Sequence, residues 1–191
     1  MTSIGALLVE IDERFRQWGV KHAFGGAMAL NFYAEPRATV DIDVNVATNV
    51  AEARELIDLL REVGFELEQP LEDLIPAAGA RARRASDVVD LFFAFDDFHR
   101  RLLERARRIP IRVGGALVEV PVLSADDLVV VKMSFNRGKD WVDIEAMVNS
   151  GTPIDITLVE RELIAFRGPT MYPRLARLRQ MLAEHRRDVG E

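Results

Sequence analysis

The stretch His22-Ala-Phe-Gly-Gly-Ala-Met-Ala-Leu-Asn-Phe-Tyr-Ala-Glu-Pro-Arg-Ala-Thr-Val-Asp-Ile-Asp-Val-Asn-Val46 decides the fold. Val20 to Phe24 is a short strand candidate that ends at Gly25-Gly26. A small-residue helix, Ala27 to Tyr33, follows at once, and Pro36 stops it. Thr39 to Val46 then alternates strictly and predicts a second strand. Val40, Ile42, Val44 and Val46 fall on one face; Thr39, Asp41, Asp43 and Asn45 fall on the other.

Two aspartates on one strand face need a physical reason. Aspartate is depleted in strands, and like charges so close must raise a pKa, reach water or bind a cation. An exposed strand end satisfies the second condition. Magnesium satisfies the third, because a hard cation takes carboxylate oxygens and keeps waters for exchange with phosphate. The glycine pair bears on the choice. A strand that ends in Gly-Gly and opens a helix lets backbone N–H groups approach a phosphate closely, although the same dipeptide also makes a plain turn.

Working outward, a third carboxylate lies at Asp90, inside the apolar run Val88-Val-Asp-Leu-Phe-Phe93. An unpaired charge there is costly to bury. A metal offsets the cost, and so does an arginine partner or a solvent-facing edge. Asp87, just outside the run, is a weaker candidate. Lysine usage points further along the chain. Lys21, Lys132 and Lys139 are the three lysines among 25 basic residues, so 22 are arginine. Two of the three flank Met133-Ser-Phe-Asn-Arg-Gly138, before Asp143. A compact ammonium suits a triphosphate; an i,i+4 ion pair between Lys139 and Asp143 is the ordinary alternative.

The remaining elements follow from periodicity. Ile4, Leu7, Leu8, Ile11, Phe15 and Trp18 mark an amphipathic helix capped by Ser3. Residues 51–63 form a second helix, closed by Gly64, with a strand starting near Phe65 and a loop over 70–80. Val88 to Phe95 is a strand, and 111–120 is a hairpin turning at Gly114-Gly115. Ser124-Ala-Asp-Asp127 resembles a capping box and opens a helix to about Phe135. Helices over about 140–148, 155–166 and 171–187 complete the chain. The expected class is therefore α+β, a mixed sheet packed on helices over residues 1–120 and a helical part over 121–191.

The 191 residues carry a net charge of −6, no cysteine and 49% apolar side chains. Disulfides and thiolate metal sites are excluded, and a real core is affordable. No run approaches the roughly 20 apolar residues of a membrane span, and the N-terminus lacks a signal-peptide pattern. A cytoplasmic protein is expected, with no membrane partner. The acidic balance does not suggest nonspecific wrapping of nucleic acid. Two arginine clusters, Arg81/Arg83/Arg84 and Arg100 to Arg112, are open to reading as a phosphate-binding face or as solvated surface.

Gly25-Gly-Ala-Met-Ala-Leu-Asn-Phe-Tyr33 with Arg37-Ala-Thr-Val-Asp-Ile-Asp43 resembles the signature of the nucleotidyltransferase superfamily that includes DNA polymerase β. The tyrosine and the Arg-x-Thr-x-Asp-x-Asp run are most similar to its AbiEii-like branch, which includes toxins of toxin–antitoxin systems. Lys132 to Asp143 is similar to a later motif of that branch. The match is tight over residues 22–46 and looser over the second segment. Many relatives have Gly-Ser where this chain has Gly25-Gly26, so a serine hydroxyl contact to phosphate is missing here.

The resemblance implies transfer of a nucleoside monophosphate from a nucleoside triphosphate to an acceptor hydroxyl. It implies two magnesium ions on Asp41, Asp43 and Asp90, with Lys132 as a catalytic cation. It also implies nucleotide contacts from Gly25, Gly26, Arg37, Thr39, Lys132, Lys139 and Asp143, in a cleft closed by the helical part. A nucleic-acid acceptor, the 3′ end of transfer RNA, is the leading expectation, in a toxin with a cognate antitoxin protein. A small-molecule or protein acceptor is the second reading. A catalytically idle domain that binds nucleotide or a partner is the third.

Overall fold

The computed structural model describes residues 3–73 and 78–189. The chain divides into two units. The first comprises residues up to Met28 together with Ala38–Leu123, and the second comprises Ala29–Arg37 with Ser124 onward.

The first unit is built on a seven-stranded mixed sheet. Its strands are β1 (His22–Phe24), β2 (Asp41–Val46), β3 (Glu66–Leu67), β4 (Gly79–Arg84), β5 (Asp87–Phe93), β6 (Arg107–Val113) and β7 (Ala116–Val122). Their spatial order is β3-β4-β5-β2-β1-β7-β6, which puts β2 at the centre. β2 runs parallel to β5 and antiparallel to β1. Ile42, Val44 and Val46 are fully buried on one face of that strand, as period-two alternation requires. The strand starts at Asp41 rather than Thr39, and Val40 is 79% exposed. Alternation alone extends the strand two residues too far because it ignores where the ladder begins.

Helix α1 (Ile4–Gln17) starts where the Ser3 hydroxyl accepts from the Ala6 N–H at 3.2 Å. It buries Leu7, Leu8, Ile11 and Phe15, packing on β2, β6 and β7. Each such side chain contributes about 2 kcal/mol by leaving water. Burial also reaches polar groups. His22 Nδ1 donates to the Val20 carbonyl at 3.0 Å, and Nε2 lies 3.1 Å from Asp12 Oδ1. Burial pushes the His22 pKa down, against the pull of Asp12. Helix α3 (Val50–Glu62) has the reciprocal cap of Asn49 and Glu52. A five-residue helix, α2 (Gly26–Leu30), joins the glycine turn to the second unit's first segment.

Two elements depart from the sequence expectation. The 70–80 stretch contains a 3-10 turn at Leu71–Asp73 and the start of β4 at Gly79, while 74–77 lie outside the described residues. β4 itself carries Ala-Arg-Ala-Arg-Arg, with Ala80 and Ala82 buried and Arg81 and Arg83 on the other face. Its inward residues are too small to register as a hydrophobic alternation. The second is α4 (Asp97–Glu104), whose buried Phe98, Leu102 and Leu103 are embedded among arginines. Asp96 caps it, accepting from the His99 N–H at 2.8 Å. The hairpin of β6 and β7 turns at Gly114-Gly115 as expected, with both glycines at positive φ.

The second unit is helical: α5 (Ala125–Phe135), α6 (Gly138–Asn149), α7 (Ile156–Arg167) and α8 (Tyr172–Val189). α5 buries Leu128, Val129, Val130 and Met133, together with Asp127 and Lys132, and packs on α6 and α7. Ser124 accepts from the Asp127 N–H at 3.2 Å and donates its hydroxyl to Asp127 Oδ2 at 2.6 Å. The Asp127 side chain is one methylene shorter than the usual glutamate and takes the hydroxyl. Asn136 ends α5 in the left-handed region, at φ +56°. Arg174 of α8 donates to the Met133 and Ser134 carbonyls, covering the C-terminal end of α5. Among the described residues, no helix is long and apolar enough to cross a membrane.

Candidate active site

The central strand positions the acidic face. Asp41 and Asp43 are two residues apart on β2 and both are partly exposed. Cross-strand register extends the row. Asp43 is directly partnered by Asp90 of β5, and Asp90 in turn by Arg81 of β4. Directly partnered residues project from the same face of a sheet. Asp43, Asp90 and Arg81 therefore stand side by side across three strands, with Asp41 along the same face.

Hydrogen bonds fix the carboxylates individually. The Thr39 hydroxyl donates to Asp41 Oδ1 at 2.7 Å. Arg81 engages Asp90 through both edges of its fork, Nε donating to Oδ1 at 2.6 Å and a terminal nitrogen donating to Oδ2. The same terminal nitrogen lies 3.6 Å from Asp41 Oδ2. Those two carboxylates raise the Arg81 pKa further above its already high value, the fork on Asp90 being the main cause. Of the ways to accommodate Asp90 in an apolar strand, an arginine partner is the one seen. Among the described residues, no three acidic or histidine side chains are gathered as a ready-made metal group.

The glycine turn abuts this face. The Gly25 N–H donates to the Asp43 carbonyl at 2.8 Å, locking the turn to β2. Gly26 has φ +55°, and a Cβ there would lie 1.7 Å from Asp43 Oδ2. Position 26 thus has no room for a side chain in this conformation.

The second unit holds a cluster of its own. Lys132 on α5 and Asp143 on α6 are both buried, with Nζ donating to Oδ2 at 2.6 Å. Arg37 donates to the same oxygen at 3.2 Å. Asn31 holds Arg37 by the backbone, accepting from its N–H at 3.0 Å and donating to its carbonyl at 3.1 Å. The expected alternative for Asp143, an i,i+4 pair with Lys139, is not formed. Lys139 is exposed, while Asp143 faces inward to Lys132. Sequence reading missed Arg81 and Asn31; their signals lie in strand register and in a turn, neither of which a local motif displays.

Most of the arginines in the two clusters lie at the solvated surface, Arg83, Arg100, Arg107, Arg108 and Arg112 being exposed. In the first, each guanidinium has an acidic partner: Arg81 with Asp90, Arg83 with Glu68, and Arg84 with Glu10 and Asp87. In the second, Arg100 pairs with Asp97, and Arg108 lies near both Asp12 and Glu119.

A strand, a glycine turn against a carboxylate and an acidic row on the central strand agree with one family. The model of the nucleotidyl transferase AbiEii toxin family, type IV toxin–antitoxin system, matches residues 12–189. The chain belongs to that family. No curated protein matches it. Solved structures share its fold at low identity. The solution structure of the antibiotic-resistance factor ANT(2'')-Ia is 15% identical with a TM-score of 0.57, over 94% of this chain and 99% of that one. An antigenic nucleotidyltransferase-like protein from Paracoccidioides brasiliensis is 15% identical with a TM-score of 0.56, over 94% and 89%. The AbiEii-family chain is thus a nucleotidyltransferase with the mixed sheet and helices of that fold.

Proposed function

We propose that this AbiEii-family enzyme is a magnesium-dependent transferase that moves a nucleoside monophosphate from a nucleoside triphosphate to the 3′ end of transfer RNA, as a toxin restrained by a cognate antitoxin. The observation that carries the reading is the closure of the Gly25-Gly26 turn onto Asp43, beside Asp41 and Asp90. Glycines that allow backbone approach, next to hard oxygen donors, suit a metal–triphosphate ligand.

The donor chemistry of Asp41 and Asp43 fits magnesium: two partly exposed carboxylates on one face, with hard oxygens. Asp90 stands beside Asp43 and is engaged by Arg81; in this reading it would complete the site facing the acceptor hydroxyl. When bound, magnesium supplies charge stabilisation to the attacking and leaving oxygens of an in-line displacement. Thr39 holds one Asp41 oxygen in place. The Gly25 N–H is committed to Asp43, so backbone contact to phosphate would come from the amides that open α2. Lys132 supplies a fixed positive charge to the triphosphate, held by Asp143, with Arg37 beside it. Lys139, exposed at the start of α6, contributes a further charge to the nucleotide.

In the transfer, the acceptor oxygen bonds to the α-phosphorus, the bond to pyrophosphate breaks, and the hydroxyl proton leaves to a base. A small-molecule acceptor is the second reading, favoured by the net charge of −6.

The test incubates the protein with labelled nucleoside triphosphates, magnesium and total transfer RNA, beside Asp41→Ala. Label on RNA that requires Asp41 supports the reading. Magnesium-dependent nucleotide binding without labelled RNA moves the acceptor to small molecules or proteins. Absence of both transfer and binding leaves the idle-domain reading.

A further inference from the structure

We propose that Arg81 is a positioning residue that competes with the divalent metal for the acidic face, so that Asp90 reaches the metal only when its guanidinium lets go. This rests on the proposed metal site at Asp41 and Asp43.

The register leaves Arg81 little choice of partner. β4 pairs antiparallel with β5 from Gly79↔Phe92 to Arg84↔Asp87, which sets Arg81 directly opposite Asp90. Gln69 reinforces that register from outside the ladder, accepting from the Arg81 N–H at 3.1 Å and donating to the Gly79 carbonyl at 3.3 Å. The backbone of Arg81 is therefore fixed, and only its side chain can move. That side chain is well placed to do so. It is 39% exposed, whereas the Asp90 side chain is 16% exposed. A long side chain at that exposure can turn to water without unpacking the sheet.

The fork occupies both Asp90 oxygens and reaches toward Asp41. An oxygen accepting from a guanidinium in this geometry is poorly available to a cation, and the guanidinium repels any second positive charge within a few ångströms. Charge makes the exchange feasible. Asp41, Asp43 and Asp90 bring three carboxylates to the face on which Arg81 stands, the hard oxygen donors a divalent ion takes. The neighbouring Arg83 is committed elsewhere, to Glu68, so the effect belongs to one arginine rather than to the strand.

The experiment is titration of the full-length protein with manganese, without nucleotide, followed by calorimetry. It uses wild type, Arg81→Gln, Arg81→Lys, Arg83→Gln and Asp41→Ala, each checked for folding by circular dichroism. Arg81→Gln is expected to bind about tenfold more tightly, as befits loss of one nearby positive charge. Arg83→Gln should bind like wild type. Arg81→Lys keeps the charge but loses the fork, so it should fall between wild type and Arg81→Gln; it decides the matter if the glutamine variant does not fold. Arg81 variants that bind no more tightly than wild type overturn the inference while leaving an Asp41-dependent site intact. Binding that survives in Asp41→Ala removes the proposed metal site, and this inference falls with it.

Discussion

A Cβ built on Gly26 lies 1.7 Å from Asp43 Oδ2, 2.4 Å from its Cγ and 2.9 Å from its Cβ. The turn and the acidic strand are therefore fitted to each other, and the fit depends on the absence of a side chain. The last of these distances involves an atom fixed to the strand, so rotating the Asp43 carboxylate does not remove the clash. Gly26→Ala also places a side chain at φ +55°, which costs about 1 kcal/mol. We expect Gly26→Ala to lose at least that much stability in urea denaturation. Nucleotidyl transfer should fall by more than the lost folded fraction explains. Full transfer activity in a folded Gly26→Ala protein would show that Asp43 needs no such close approach.

The pair of Lys132 and Asp143 makes a different demand. Both side chains are 6% exposed and 2.6 Å apart. Removing one partner from a buried pair strands the other charge, at a cost of about 3–5 kcal/mol, whereas replacing both by apolar groups is far milder. Asp143→Asn should therefore lower the urea midpoint sharply. The double variant Lys132→Met/Asp143→Leu should recover much of that loss without recovering transfer. A double variant no more stable than Asp143→Asn would place the energy of this region outside the pair.

How much of this was legible beforehand depended on range. Asp41 and Asp43 stood out because an alternating strand displays its faces within a few residues. Asp90 stood out because a charge interrupts an apolar run. Arg81 did not, because the partner that gives it meaning is set by a ladder whose inward residues are alanines. Asp143 was visible, but its partners were not. Arg37 is 106 positions away, and the nearer Lys139 competes in a sequence reading because i,i+4 spacing is all that a helix shows by itself. Helix α4 was hidden by arginines that mask three buried apolar residues.

Acid should act on the join between α1 and β4. Arg84 donates to both Glu10 oxygens at 2.7 Å, and this fork holds the Glu10 pKa below the usual carboxylate range. In the unfolded chain Glu10 titrates near about 4.3. Between the lowered folded value and that value, the unfolded state binds more protons, so stability rises with pH through this window. The contribution is present above about pH 4.3 and is lost as pH falls through the folded value. Glu10→Gln should cost about 1 kcal/mol at pH 7, and the difference from wild type should shrink at pH 3. Parallel stability curves for the two proteins across that range would put the acid sensitivity elsewhere.

Asn31 offers the means to separate placement from stability. Its amide meets the N–H and the carbonyl of Arg37, closing the backbone that delivers the guanidinium to Asp143. These hydrogen bonds are exposed, so water replaces them at little cost, and Asn31→Ala should lose no more than about 1 kcal/mol. The functional effect is expected to be larger. Without the clamp, Arg37 samples other positions, and its proposed nucleotide contact, made in both ground and transition state, weakens in both. That pattern raises KM for the triphosphate and leaves kcat nearly unchanged. Steady-state transfer kinetics on Asn31→Ala and Arg37→Ala should show the same direction, with Arg37→Ala the larger. A fall in kcat at constant KM in both variants would instead assign Arg37 to the transition state. Unchanged kinetics in both would take it out of the nucleotide site.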